Sequence, residues 1–220
     1  MPALPLSQVL SLSNAQIAVE AAAIVAFALS GLIAAARKRL DAIGVCVVAG
    51  LTAFGGGTLR DILLDRRPFF WVEHAAWLWA LLALCSCAML FLRSRHVALT
   101  ERAMQWPDAV GLGLFTAGGT QIALAVDTPA IVAVLMGVVT AVFGGVLRDV
   151  VCNEIPRAFN DHRPYAICSF AGGWVLVAAQ SFALPSWVSL TVAALVATGL
   201  RAAAVAWDWR LPAWQASRGG

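Results

Sequence analysis

Seven stretches of this chain, near residues 15–36, 43–65, 74–92, 107–126, 130–153, 164–182 and 187–206, are almost wholly apolar. Each holds about 20 residues, the length at which a helix crosses the roughly 30 Å hydrocarbon layer of a bilayer. In 220 residues with 61% hydrophobic side chains this leaves only short loops and no soluble domain. The expected fold is therefore an all-α, polytopic membrane protein of seven transmembrane helices. The first basic residue, Arg37, follows the first apolar stretch, so that stretch lacks the charged start of a cleaved secretory signal.

Basic residues fix the expected orientation. With the N-terminus outside, the cytoplasmic segments hold Arg37, Lys38, Arg39, Arg93, Arg95, Arg102, Arg157, Arg163, Arg210 and Arg218, against only Arg66 and Arg67 outside. Cytoplasmic loops carry such an excess of Lys and Arg, and the C-terminus is accordingly expected in the cytoplasm. The net charge of +3 thus reflects topology, and nucleic-acid binding is not expected.

Two stretches nearly repeat one another: "TAFGGGTLRD" from Thr52 to Asp61 and "TAVFGGVLRD" from Thr140 to Asp149. A shift of 88 residues superposes Ile43 on Ile131, Thr52 on Thr140, Gly56 and Gly57 on Gly144 and Gly145, Arg60 on Arg148, Asp61 on Asp149 and Pro68 on Pro156. Nine identities fall in the 26 positions from 43 to 68, and Phe27, Gly31 and His74 match Phe115, Gly119 and His162. The unit is three helices, about 15–92 and about 107–182, with a seventh helix at about 187–206 outside it. Because three crossings are odd in number, the second unit enters the membrane from the other side, which makes the repeats inverted. Sites in such folds lie at the repeat interface near the midplane.

The glycines Gly55, Gly56, Gly57, Gly144 and Gly145 fall mid-span and serve one of two ends. They open a helix turn, whose freed carbonyls need protein or water around them, or they let helices pack closely. Arg60, Asp61, Arg148 and Asp149 are ionisable groups inside spans, each costing roughly 2.5–3.5 kcal/mol on insertion scales. Neighbours on a helix diverge by about 100°, so the expected pairs are Arg60 with Asp149 and Arg148 with Asp61, across the repeats. Thr52, Gly56 and Arg60, like Thr140, Gly144 and Arg148, recur every fourth residue and form a polar stripe; Thr58 stands beside it. The alternative is an ion-pair network that only locks the repeats together.

On this doubled Gly-Gly-x-x-Arg-Asp motif, its spacing and the count of apolar stretches, the chain resembles the prokaryotic trimeric intracellular cation (TRIC) channels, some relatives of which carry a glycine-transporter label. The resemblance covers nearly the whole chain. It implies a homotrimer in a bacterial inner membrane whose protomers each have a pore, lined by the second and fifth spans and conducting monovalent cations such as potassium, with no other cofactor. Two departures stand out. The second motif has Phe143 where the first has Gly55, so unequal bending of the two helices is expected. The Lys-Glu-Val motif of animal members is absent, so phosphoinositide gating is not expected.

The remaining features carry less. Glu20 stands near the outer end of the first span, at a pore mouth or simply hydrated. Nine tryptophans cluster towards span ends, as an interfacial belt does. Five cysteines without a paired spacing, and His74, His96 and His162 without ligand spacing, suggest neither disulfides nor a metal. No catalytic constellation stands out, so an enzyme is not expected. A secondary transporter of a small neutral amino acid such as glycine remains the alternative to a channel.

Overall fold

The computed structural model describes residues 6–94 and 101–212; Arg95, His96, Arg218 and both chain ends lie outside them. The described residues form helices α1 (Leu6–Arg37), α2 (Ala42–Leu63), α3 (Phe70–Glu73), α4 (Ala76–Ser94), α5 (Glu101–Ala125), α6 (Ala130–Val151), α7 (Arg157–Asn160), α8 (Ala166–Ser181) and α9 (Ser186–Ala206). Seven are long and two are single turns, and each apolar stretch of the sequence falls on one long helix. Four segments, Asn14–Arg37, α2, α6 and α9, are long and apolar enough to cross a bilayer. Shorter apolar helices run over Ala76–Leu90 and Ala166–Ser181. The α5 helix begins six residues before its apolar stretch, at Glu101, and contains Pro107.

The repetition extends to the helix ends. Two residues beyond the ends of α1 and α5 stand Arg39 and Asp127, both in the left-handed region with φ of 54° and 58°. Asp65 after α2 and Asn153 after α6 do the same, with φ of 50° and 53°. Each pair is 88 residues apart. Asp and Asn tolerate this conformation, and it lets the next amide turn back onto the helix: Arg66 N donates to Asp61 O and Glu154 N to Asp149 O, both at 2.8 Å. At the other ends Asp41 caps α2 through Gly44 N at 2.7 Å, while Pro129 precedes α6.

Helices α2 and α6 cross at the centre. The backbone of Gly56 lies on the carbonyl of Thr140, and that of Gly144 on the carbonyl of Thr52. As the index rises on one helix it falls on the other, so equivalent helices run antiparallel and the repeats are inverted. Beside them α1 and α5 also run antiparallel. Phe27 meets its own repeat mate Phe115 edge to face at 5.1 Å, which puts the pseudo-two-fold axis between the two rings. Helix α9, outside the repeat, packs on α8 and α5, where Gly172 accommodates Ala197 and Gly113 accommodates Thr198.

Of the two ends the glycines could serve, the structure shows close packing and no opened turn. Both α2 and α6 are continuous through the motif, and Phe143 does not make them unequal in this respect. Close packing accounts for Gly56 and Gly144, because an added β-carbon would collide with main-chain atoms of the opposite repeat.

Candidate functional site

Two charge clusters lie beyond the crossing, one at each end. In the first, Arg60 Nε donates to Asp61 Oδ1 at 2.9 Å and Arg60 Nη1 to Glu20 Oε1 at 3.0 Å. Asp61 also receives Arg66 Nη1 at 3.3 Å and the amide of Phe70 at 3.2 Å. In the second, Arg148 Nε donates to Asp149 Oδ1 at 2.8 Å, and Arg148 Nη1 to Asp108 Oδ1 at 2.5 Å and to Ser30 Oγ at 2.6 Å. Asp149 Oδ2 accepts the amide of Arg157 at 3.0 Å, and Asp108 Oδ2 accepts Tyr165 OH at 2.8 Å. Arg60 and Asp61 are each 1% exposed, and Arg148 and Asp149 2% and 3%. Charges so far from water persist only beside opposite charges and hydrogen-bond partners; the acids that pair with each arginine come from its own repeat, and Ser30 of the first repeat adds a hydrogen bond to Arg148.

This arrangement overturns the cross-repeat pairs expected from the sequence. Neither Arg60 with Asp149 nor Arg148 with Asp61 is paired. Each arginine sits about six residues beyond the crossing, and at a rise of about 1.5 Å per residue the two antiparallel helices carry them roughly 18 Å apart. The divergence of neighbouring positions is no obstacle, because the long arginine side chain folds back onto the carboxylate of the next residue. What the sequence reasoning missed is the bridging acid. Glu20 and Asp108 are separated by the same 88 residues as the motifs, and each stands 40 residues before its arginine. The shift that revealed the motifs already contained this pair.

Other motif residues face elsewhere. Thr52 and Thr140 are fully buried, and their hydroxyls donate to Val48 O and Met136 O one turn back, both at 2.6 Å. Each abuts a glycine of the preceding helix, Gly31 or Gly119. Gly57 packs on the ring of Phe70, and Gly145 lies beside Tyr165, Arg148 and Asp108. Gly55 and Thr58 line an apolar cavity of about 420 Å³ with Phe143, Leu147 and Trp71, whose indole donates to Thr58 Oγ1 at 3.0 Å.

The clusters differ in access. A cavity of about 240 Å³, lined by Glu20, Arg66, Phe70, Glu73, His74 and Trp77, adjoins the first. A cavity of about 160 Å³, lined by Arg37, Lys38, Asp149, Cys152 and Glu154, adjoins the second. In the second cluster Tyr165 covers Asp108, and the guanidinium of Arg201 from α9 lies 4.7 Å from the Tyr165 ring centroid. Lys38 Nζ reaches Glu154 Oε1 at 2.9 Å, and this bond holds the Glu154 carboxyl below its ordinary range. Arg210 and Arg163 do the same for Asp208.

A family model described as "Glycine transporter" matches residues 17–95 and 105–181, one segment for each repeat. The structure superposes on the TRIC trimeric intracellular cation channel orthologue from Rhodobacter sphaeroides with a TM-score of 0.81 and 33% identity, covering 88% of this chain and 98% of that one. The chain belongs to the TRIC channel family. A second TRIC cation channel, studied for its conductance, matches with a TM-score of 0.80 and 31% identity over 91% of this chain and 98% of its own. Among sequence relatives, the inner membrane protein YadS of Escherichia coli K12, a UPF0126 protein, is 34% identical over 195 residues, which is 88% of this chain and 93% of YadS. A UPF0126 membrane protein of Vibrio cholerae is 35% identical over 186 residues, 84% of this chain and 77% of its own. The TRIC family is one of membrane channels and not of enzymes.

Proposed function

We propose that this chain is a cation channel selective for monovalent ions such as potassium, acting as a homotrimer in a bacterial inner membrane with one permeation path per protomer. In this reading the seven long helices all span the membrane, with Met1 outside and Gly220 in the cytoplasm. The path follows α2 and α6. It runs from the cavity beside Glu20, past Arg60 and Asp61, through the crossing at Thr52, Gly56, Thr140 and Gly144, then past Arg148 and Asp149 to the cavity beside Glu154. Gly57 and Gly145 flank it, and Gly55 and Thr58 border it on the apolar side.

One observation carries this reading: two polar cavities, each against a buried charge cluster, lie at opposite ends of a single crossing of antiparallel helices. Clustered buried charges inside spans mark ion pathways. Between the clusters Phe27, Thr52 and Thr140 are 0% exposed, which in this reading makes the crossing the closed point of the path. Conduction then requires α2 and α6 to part where only glycines separate them, a small displacement for a large change in access.

Recording from the purified protein in planar bilayers under a potassium chloride gradient tests the proposal. Unitary currents that reverse near the potassium equilibrium potential are expected. Saturable glycine uptake into proteoliposomes without unitary currents would replace the channel with a carrier.

A further inference from the structure

The second repeat holds a cation that the first does not. In it, the guanidinium of Arg201 lies 4.7 Å from the centroid of the Tyr165 ring, and Nη2 reaches Asp161 Oδ2 at 3.2 Å. A shift of 88 residues places Tyr165 on Trp77, Asp161 on Glu73, His162 on His74 and Asp108 on Glu20. The aromatic ring and both acids are therefore kept in the first repeat. The arginine is not, because it comes from α9, and the chain after α4 goes on to α5 and the second repeat. The counterparts of its two partners, Trp77 and Glu73, line the cavity of about 240 Å³ together with Glu20 and His74.

We propose that this cavity binds a small organic cation through a guanidinium group, set on the Trp77 ring and held by the Glu73 carboxylate. Tryptophan offers the best face for a cation, and a planar guanidinium both stacks on it and hydrogen-bonds a carboxylate edge. Among the described residues Glu73 has no ion pair, whereas its counterpart Asp161 bonds Arg201. The other charges on the cavity are already engaged: Glu20 with Arg60 at 3.0 Å and Arg66 with Asp61 at 3.3 Å. One contact of the template is missing. Arg201 Nη1 also donates to Pro164 O at 3.1 Å, but the equivalent residue, Ala76, already lies in the first turn of α4. A bound guanidinium therefore makes fewer bonds than Arg201 does, which suits reversible, millimolar association. The inference concerns binding alone and stands whether or not the protein conducts.

Isothermal titration of the detergent-solubilised protein with methylguanidinium chloride is the test, with tetramethylammonium and potassium chloride at equal ionic strength as controls. Saturable binding is expected for methylguanidinium, weakened about tenfold by Glu73→Gln and by Trp77→Leu, and kept by Trp77→Phe. Glu73 is exposed on a single-turn helix, so Glu73→Gln leaves folding intact even if Trp77→Leu does not. Heats that match the potassium control, or saturable binding unchanged by Glu73→Gln, would overturn the proposal.

Discussion

Gly56 of α2 rests on the main-chain carbonyl of Thr140 in α6 with no room for a β-carbon between them, and Gly144 repeats the contact on Thr52. The neighbour in each case is backbone, which cannot rotate away. Gly56→Ala or Gly144→Ala must therefore push the two central helices apart, at a cost of about 1–3 kcal/mol for overpacking. Gly199 has nothing within 4 Å of an added β-carbon, and Gly199→Ala is expected to be neutral or stabilising by up to about 1 kcal/mol through helix propensity. Thermal unfolding in detergent separates the two, with Tm falling for the crossing variants and not for Gly199→Ala. Equal shifts at all three sites would mean that the crossing is not tightly packed.

The second charge cluster is the more sealed of the two, since the side chain of Asp108 is 6% exposed and that of Glu20 is 16% exposed. Removing one partner leaves the other charge buried, so Asp108→Asn and Arg148→Met should each cost about 3–5 kcal/mol, and the double variant much less than their sum. Arg60 and Asp149, roughly 20 Å apart along the helices, should instead behave additively, within about 0.5 kcal/mol. A double-mutant cycle on each pair, read as thermal stability, checks both statements. Strong coupling between Arg60 and Asp149 would restore the cross-repeat pairing.

Much of this architecture is legible in the sequence because it is written twice. The shift of 88 residues gives the repeats, and the odd number of helices per repeat gives their inversion, which the antiparallel crossing of α2 and α6 bears out. The partners of Arg60 and Arg148 are harder to see, because Glu20 and Asp108 differ in type and sit 40 residues upstream, in helices whose packing the sequence does not display. The glycines are ambiguous in principle, since the same residue opens a helix or admits a neighbour, and only the position of Thr140 O over Gly56 decides between them. Arg201 escapes the repeat altogether because it lies on the unrepeated helix α9, and Tyr165 is hard to see because its counterpart in the first repeat is a different aromatic residue, Trp77.

A last prediction concerns the bond between the repeats at the surface. Lys38, the only lysine in the chain, follows α1, while Glu154 follows α6, and their contact at 2.9 Å ties the first helix of one repeat to the central helix of the other. The two side chains are 38% and 36% exposed, so the pair falls in the range of about 0–1 kcal/mol found for surface ion pairs. Because the bond to Lys38 lowers the Glu154 carboxyl, the folded protein holds this proton less tightly than the unfolded chain does. The stabilisation is therefore present above the unfolded glutamate value of about 4.3 and is lost as pH falls through the lower folded value. Lys38→Met should unfold at a slightly lower temperature than the parent at pH 7, and the difference should close on acidification below about pH 4 and also in about 1 M salt, where the Debye length shrinks to about 3 Å. Paired thermal melts across that range measure it, and a gap that widens as pH falls would show that Lys38 stabilises the protein by something other than this ion pair.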